Sequence, residues 1–388
     1  MTMTTAIPVT NGRPEEAVIA FLASLLREGV VEAIVIPRKL PAGDGFVPTL
    51  IRDPEMLSGS SMLSPTMVVQ SARVLSQLSY KMPPGRKIAA LLKSCEIRAV
   101  IELAKFLQVR LADLYLIGID CPGTFEVVDY AGMAAGLAGG ESWTEGMVRK
   151  MGRGEIAPPA GFSYRRACRM CEYPAPEADM VIQLFGYETD QRVGLAIRDE
   201  LAEELSARGL LPPAESEPPT RQKIIADIMT ERIGVRDAVF TEWHSIITDH
   251  ESFLKQFSTC TRCHNCMVAC PVCYCRECVF KTDAFIHEGE QFLRWADRKG
   301  MLRLPTDTLL FHMVRATHMA SSCIGCGLCE SACPSHLPVA SLFRSAGAEI
   351  QQLFGYVPGR DVKETPPLAT FREEDLKLDD DRPPSAVL

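Results

Sequence analysis

Apolar residues recur at helical spacing over residues 14 to 26, where Val18, Ile19, Phe21, Leu22, Leu25 and Leu26 follow a Pro-Glu-Glu start and Gly29 closes the run. Beyond it VVEAIVIP reads as a strand, VVQSARVLSQL as a helix, KIAALLK as a buried strand, EIRAVIELAKFL as a helix and DLYLIGI as a strand. DMVIQLFG and QRVGLAI add two more strands. This alternation predicts an α/β fold with a mainly parallel sheet. A Pro- and Glu-rich stretch, LPPAESEPPT at 211 to 220, then breaks the pattern. After it RQKIIADIMTERI, the stretch around EWHSIITDHESFLKQF, AFIHEGEQFLRWADRKG and TDTLLFHMVRATHMA read as helices, and no strand signal recurs. The expected organisation is an α/β domain over 1–215, an all-α domain over 221–358 and a polar tail over 359–388. The tail carries too few apolar residues to order itself alone, which suits it to docking on a partner.

Composition narrows the function classes. The 388 residues carry 41 Lys+Arg against 49 Asp+Glu, a net charge of −8, so no basic field would gather nucleic acid. The N-terminal MTMTTAIPVTNGRPEE lacks a basic segment followed by an apolar one, and runs such as LYLIGI are too short to span a bilayer. A cytoplasmic, non-membrane-spanning protein is expected. In that compartment fifteen cysteines are not a disulfide framework, which points to metal ligation.

The cysteines cluster accordingly. Cys260, Cys263, Cys266 and Cys270 followed by Pro271 fit C-x2-C-x2-C-x3-C-P, and Cys323, Cys326, Cys329 and Cys333 followed by Pro334 repeat it. Soft thiolates at this spacing wrap [4Fe–4S] cubanes, three from one motif and the fourth crossing to the other cluster. Structural zinc is the competing reading, but zinc sites do not usually repeat a four-Cys-Pro run. By the crossing rule Cys270 belongs with Cys323, Cys326 and Cys329, and Cys333 with the first motif. Two helical stretches separate the motifs, which resembles the alpha-helical ferredoxin of succinate dehydrogenase iron–sulfur subunits and heterodisulfide reductase C subunits.

Four cysteines remain upstream. Cys95 and Cys121 follow predicted strands at their carboxyl ends, where open α/β sheets keep their ligand crevice. Cys168 and Cys171 form a CxxC flanked by Arg165, Arg166 and Arg169. Each of the first two alone also suits a buried packing role; together the four make a third [4Fe–4S] site. Cys273, Cys275 and Cys278 are then left over and are read as spare. The alternative is a fourth cluster completed by His264 or by a partner's cysteine. The histidines, His244, His250, His264, His287, His312, His318 and His336, are scattered and form no acid/base constellation.

GVVEAIVIP, LSGSSMLSP, KSCEIRAVIEL, LIGIDCPGTF and CRMCEYPAPEADMVIQLFG, followed by the ferredoxin motifs, resemble the beta-subunit family of coenzyme F420 hydrogenases and formate dehydrogenases. The likeness runs over most of the chain and is greatest to the formate dehydrogenase beta subunit. It implies FAD beside a [4Fe–4S] cluster held by Cys95, Cys121, Cys168 and Cys171. Gly59, Ser60, Ser61 and Ser64 in LSGSSMLSP are the candidate flavin contacts. Where flavin-binding members open with a glycine pair, this chain has Asn11-Gly12-Arg13-Pro14. The expected function is an oxidoreductase electron-transfer subunit, working under anaerobic conditions. It would pass electrons between F420 or an NAD(P)H-type carrier and a formate dehydrogenase, hydrogenase or heterodisulfide-reductase-like partner through FAD and three clusters. A flavin-free relay is the alternative.

Overall fold

The computed structural model describes residues 2–81, 83, 85–136, 143–275, 277–285, 288–300 and 307–369. Strand β1 (Thr2–Pro8) leads into helix α1 (Pro14–Arg27), which starts on Pro14 with Glu15 and Glu16 in its first turn. Proline at the first helical position wastes no hydrogen-bond donor, and the carboxylates suit the positive helix end. β2 (Ala33–Lys39) and β3 (Phe46–Ile51) follow, then α2 (Ser71–Lys81), β4 (Ile88–Lys93), α3 (Ser94–Lys105) and β5 (Leu114–Ile119). Next come α4 (Val127–Gly136), α5 (Trp143–Gly152), the single turn α6 (Arg166–Arg169), β6 (Met180–Gln183), β7 (Arg192–Arg198) and α7 (Asp199–Ala207).

The seven strands form one sheet in the order β1-β7-β6-β5-β4-β2-β3. β2, β4, β5 and β6 are parallel, and β4 is buried along its whole length, as a central strand covered on both faces must be. The sheet is mixed rather than mainly parallel: β3 on β2, β7 on β6 and β1 on β7 are all antiparallel. The reason lies in the connections. β2–β3 and β6–β7 are joined by short segments without a crossover helix, and a short return forces antiparallel pairing.

From residue 220 to 369 the described residues form helices and 3-10 turns without a strand. They are α8 (Thr220–Ile246), α9 (His250–Gln256), α10 (Asn265–Ala269), α11 (Gly289–Lys299), α12 (Thr308–Ala320), α13 (Leu328–Ser331) and α14 (Val339–Leu353). None is long and apolar enough to cross a membrane.

The two halves are tied by buried arginines. Arg221 of α8 makes a two-pronged ion pair with Asp120, whose carboxylate also accepts from Leu184 N at 2.7 Å and Phe185 N at 3.0 Å. A buried charge is tolerated when it is paired and hydrogen-bonded in this way. Arg98 donates to the carbonyls of Ile324 and Pro358, and Arg344 to Met170 O and Glu172. The start of the expected polar tail is itself packed: Gly359 N donates to buried Glu102 at 2.6 Å, and Tyr356 donates to the same carboxylate. Residues 370–388 lie outside the described residues.

Candidate metal centres

β4 and β5 end side by side, and their continuations carry Cys95, on the first turn of α3, and Cys121. Glu96 supports the first of these, accepting from Lys93 N at 2.9 Å and from Ser71 N at 3.1 Å, so that β4, α3 and α2 meet in one place. Cys168 lies in α6 and Cys171 just after it. All four sulfur residues line one cavity. Gly123 completes the turn after Cys121 at φ +127, with the Tyr164 ring packed where a side chain would begin. Both its conformation and its lack of a Cβ are therefore required.

The cavity is not closed by the first half alone. Arg232 of α8 lines it and donates to Pro122 O at 2.5 Å, and Cys326 of the second ferredoxin motif forms part of the same wall. Arg165 is buried there: it donates to Thr124 Oγ1 at 2.9 Å and to Cys326 O at 3.1 Å, 3.8 Å from the Cys168 sulfur. Gly327, at φ +71, lets α13 approach so closely that any side chain would collide with Ala167.

The electrostatics separate the four thiols. Burial pushes Cys121 up to about 12 and Cys95 well above the ordinary thiol range. Burial would raise Cys168 as well, but the Arg165 charge and hydrogen bonds from Thr124 outweigh it and bring the thiol below its ordinary value. Metal binding must therefore displace protons from Cys95 and Cys121, as soft cations do when they bind thiols.

The two ferredoxin motifs interleave. Cys260, Cys263, Cys266 and Cys333 line one cavity. Burial raises Cys323, Cys326 and Cys329, and the neighbouring Cys270 sulfur raises each further. The structure thus brings Cys270 to the second motif and Cys333 to the first. The second set lies between the other two, because Cys326 also faces the cavity of Cys95, Cys121, Cys168 and Cys171.

The histidines are less scattered than the sequence reading holds. His312 Nε2 lies 3.3 Å from Cys260 Sγ, and burial holds its imidazole down at about 3, hence neutral. His318 faces Cys275, whereas His264 stacks on Phe311 at 4.6 Å. His287 lies outside the described residues. Helical spacing, which puts His312 on the buried face of α12 with Phe311, Arg315 and Met319, was the signal available for the first of these; none marked His318.

The loop expected to contact flavin is packed internally. Ser61 Oγ and Met62 N donate to Glu15 Oε1 at 2.7 and 3.0 Å, and Ser64 Oγ donates to Thr66 O at 2.7 Å. Gly59 N–Cα–C sits at φ +82, and buried Ser60 Oγ has no partner. Asn11 and Gly12, at φ 58 and 65, hold the left-handed turn a glycine pair would make. A separate cavity of about 650 Å³ opens against Cys168 and Arg232, with Lys150 and Arg169 on its wall.

This is the architecture of an iron–sulfur electron-transfer protein, and residues 316–336 match the 4Fe-4S binding domain family. The chain is 28% identical, over 91% of its length and 93% of the relative's, to the F420-dependent formate dehydrogenase subunit beta of Methanocaldococcus jannaschii. It is 27% identical, over 91% and 92%, to the F420-dependent formate dehydrogenase 1 subunit beta of Methanococcus maripaludis. A chain of the xenon-derivatised F420-reducing [NiFe] hydrogenase complex from Methanosarcina barkeri aligns with 63% of this chain and 93% of its own, at 13% identity and a TM-score of 0.43. The resemblance carried by the sequence motifs is borne out: over nine tenths of its length the chain is similar to beta subunits of F420-dependent formate dehydrogenases, and it is an oxidoreductase subunit.

Proposed function

We propose that the chain passes electrons between a two-electron carrier, F420 or of the NAD(P)H type, and a catalytic partner through FAD and three [4Fe–4S] clusters. The partner is a formate dehydrogenase, hydrogenase or heterodisulfide-reductase-like subunit, and the relatives' names favour the first. The proposed ligands are Cys95, Cys121, Cys168 and Cys171 for one cluster, Cys270, Cys323, Cys326 and Cys329 for the next, and Cys260, Cys263, Cys266 and Cys333 for the last. The division at 1–215, 221–358 and 359–388, with an alpha-helical ferredoxin-like second unit, belongs to the same reading and is supported by the start of α8 at Thr220.

The observation that carries it is the shared wall: Cys326 belongs to one sulfur set and lines the cavity of another. When bound, flavin divides a two-electron transfer into single steps and cubanes accept electrons singly. The protein's own part is positioning and tuning. Arg165 and Arg232 put positive charge beside the first set, which favours its more reduced state, while Thr124 orients Cys168. For the flavin, the 650 Å³ cavity beside Cys168 has a size suited to a cofactor, and on its wall Lys150, Arg169 and Arg232 outnumber Glu155 and Glu231, which suits phosphates.

A flavin-free relay is the second reading, and Glu15 favours it. Its carboxylate takes two donors of the loop around Gly59, Ser60, Ser61 and Ser64, Ser61 Oγ and Met62 N, so a phosphate placed there would meet like charge. The absorbance spectrum and iron content of anaerobically purified protein test the choice. About one flavin with about 12 irons, four per cubane, supports the first reading. The same iron without flavin supports the second.

A further inference from the structure

Cys273, Cys275 and Cys278 take no part in the three sulfur sets. They lie after Pro271 on a loop that faces α12 across a cavity of about 240 Å³, with His318 on the opposite wall. One ligand atom each from Cys273, Cys275 and His318 lies within 4.8 Å of the others, and all three residues are half-buried. Cys275 Sγ stands 3.6 Å from His318 Nδ1, and the Tyr274 ring, 4.7 Å from the imidazole, packs beside it.

These separations decide between one ion and a cluster. A tetrahedral zinc ion holds sulfur at about 2.3 Å and nitrogen at about 2.0–2.1 Å, which sets a sulfur and a nitrogen ligand about 3.6 Å apart. A cubane binds each cysteine to a different iron and spreads the sulfurs well beyond that. The histidine brought up to this stretch is His318, whereas His264 stacks on Phe311.

We infer that Cys273, Cys275 and His318 form a mononuclear zinc site, closed by Cys278 as the fourth ligand. Cys278 lines the same cavity but stands outside the group of three, its sulfur 3.4 Å from Met267 Sδ; a turn of its side chain away from Met267 would complete a Cys3His set of the structural type. The ion takes no electrons. Its effect is on the loop: Gln108 and Arg73 donate to the carbonyls of Cys273 and Cys270 on one side, and the ion would tie the same loop to α12 on the other. Cys270, the crossing cysteine, sits at the root of that loop with its sulfur 3.4 Å from Met319 Sδ. The site would thus hold in place the residue that joins the two ferredoxin motifs.

The test is metal analysis of the full chain purified anaerobically with its clusters, grown with zinc sulfate, together with X-ray absorption at the zinc edge. The expected result is one zinc per chain with sulfur and nitrogen neighbours. Cys275→Ser and His318→Ala should each lower zinc at least tenfold with iron unchanged. His318→Cys keeps four soft ligands, so it should retain zinc and turn the edge spectrum to sulfur alone, which tests the site even where the other variants fold poorly. Wild-type protein without stoichiometric zinc, zinc retained in both loss variants, an unchanged edge spectrum in His318→Cys, or loss of about four irons from Cys275→Ser would each overturn the inference.

Discussion

Arg165 donates to the main-chain carbonyl of Cys326 at 3.1 Å, and the same guanidinium nitrogen stands 3.8 Å from the Cys168 sulfur. One buried cation therefore touches two sulfur sets at once. Added electrons make a cluster more negative, so this charge would hold up the potential of a cluster bound there. Arg165→Gln is expected to lower the midpoint of the cluster at Cys95, Cys121, Cys168 and Cys171. A loss of about 1–2 kcal/mol corresponds to on the order of 50–100 mV for one electron. Arg165→Lys should recover most of it. A redox titration followed by electron paramagnetic resonance checks this, and equal midpoints in wild type and Arg165→Gln would remove the tuning role.

Cys270 raises the thiols of Cys323, Cys326 and Cys329, while Cys333 lines the cavity of Cys260, Cys263 and Cys266. Cys270→Ser should therefore alter the spectrum of the middle cluster, and Cys333→Ser that of the terminal one. If Cys270→Ser changes only the signal that also responds to Cys263→Ser, the crossing is wrong.

Cys121 is half-buried beside Lys93 and Arg232, and Cys326 is the ferredoxin-motif cysteine that shares its cavity wall. Cys121→Ala is expected to abolish carrier-linked reduction and to leave the other two clusters reducible by dithionite. Full carrier-linked reduction with unchanged iron content would mean that Cys121 only packs.

Gly327 and Gly355 both hold left-handed backbone, at φ 71 and 59, but only Gly327 has a neighbour where a Cβ would go. Gly355→Ala should cost about 1–2 kcal/mol for conformation alone. Gly327→Ala adds the collision with Ala167 and should cost more, about 3 kcal/mol in all. Urea unfolding compares the two. Equal losses would show that α6 and α13 move apart at no cost.

Much of this was legible in the chain. The parallel centre of the sheet, α1, α3 and α12 follow their apolar spacing, and the crossing of the ferredoxin motifs follows from their repeat. The edge strands β1 and β3 were not legible, because a half-exposed edge carries a weak apolar pattern and its partner is distant in sequence. α14 was missed although its buried face is long, since the tail composition that follows it masks its end. The arginines that stitch the halves were also hidden. Arg98, Arg232 and Arg344 look like ordinary solvated charges until tertiary packing places them against carbonyl oxygens. His318 was dismissed for the same reason: its partner, Cys275, is 43 residues away.

In the proposed electron path three clusters stand in a line, with the Cys270, Cys323, Cys326 and Cys329 set in the middle. Anomalous diffraction at the iron edge, on crystals grown anaerobically, tests it most directly. Three cubane-sized iron peaks are expected, the middle one bounded by Cys326 on the side of Arg165 and by Cys270 on the other. The absence of iron among Cys95, Cys121, Cys168 and Cys171, or a middle peak ligated without Cys270, would contradict it.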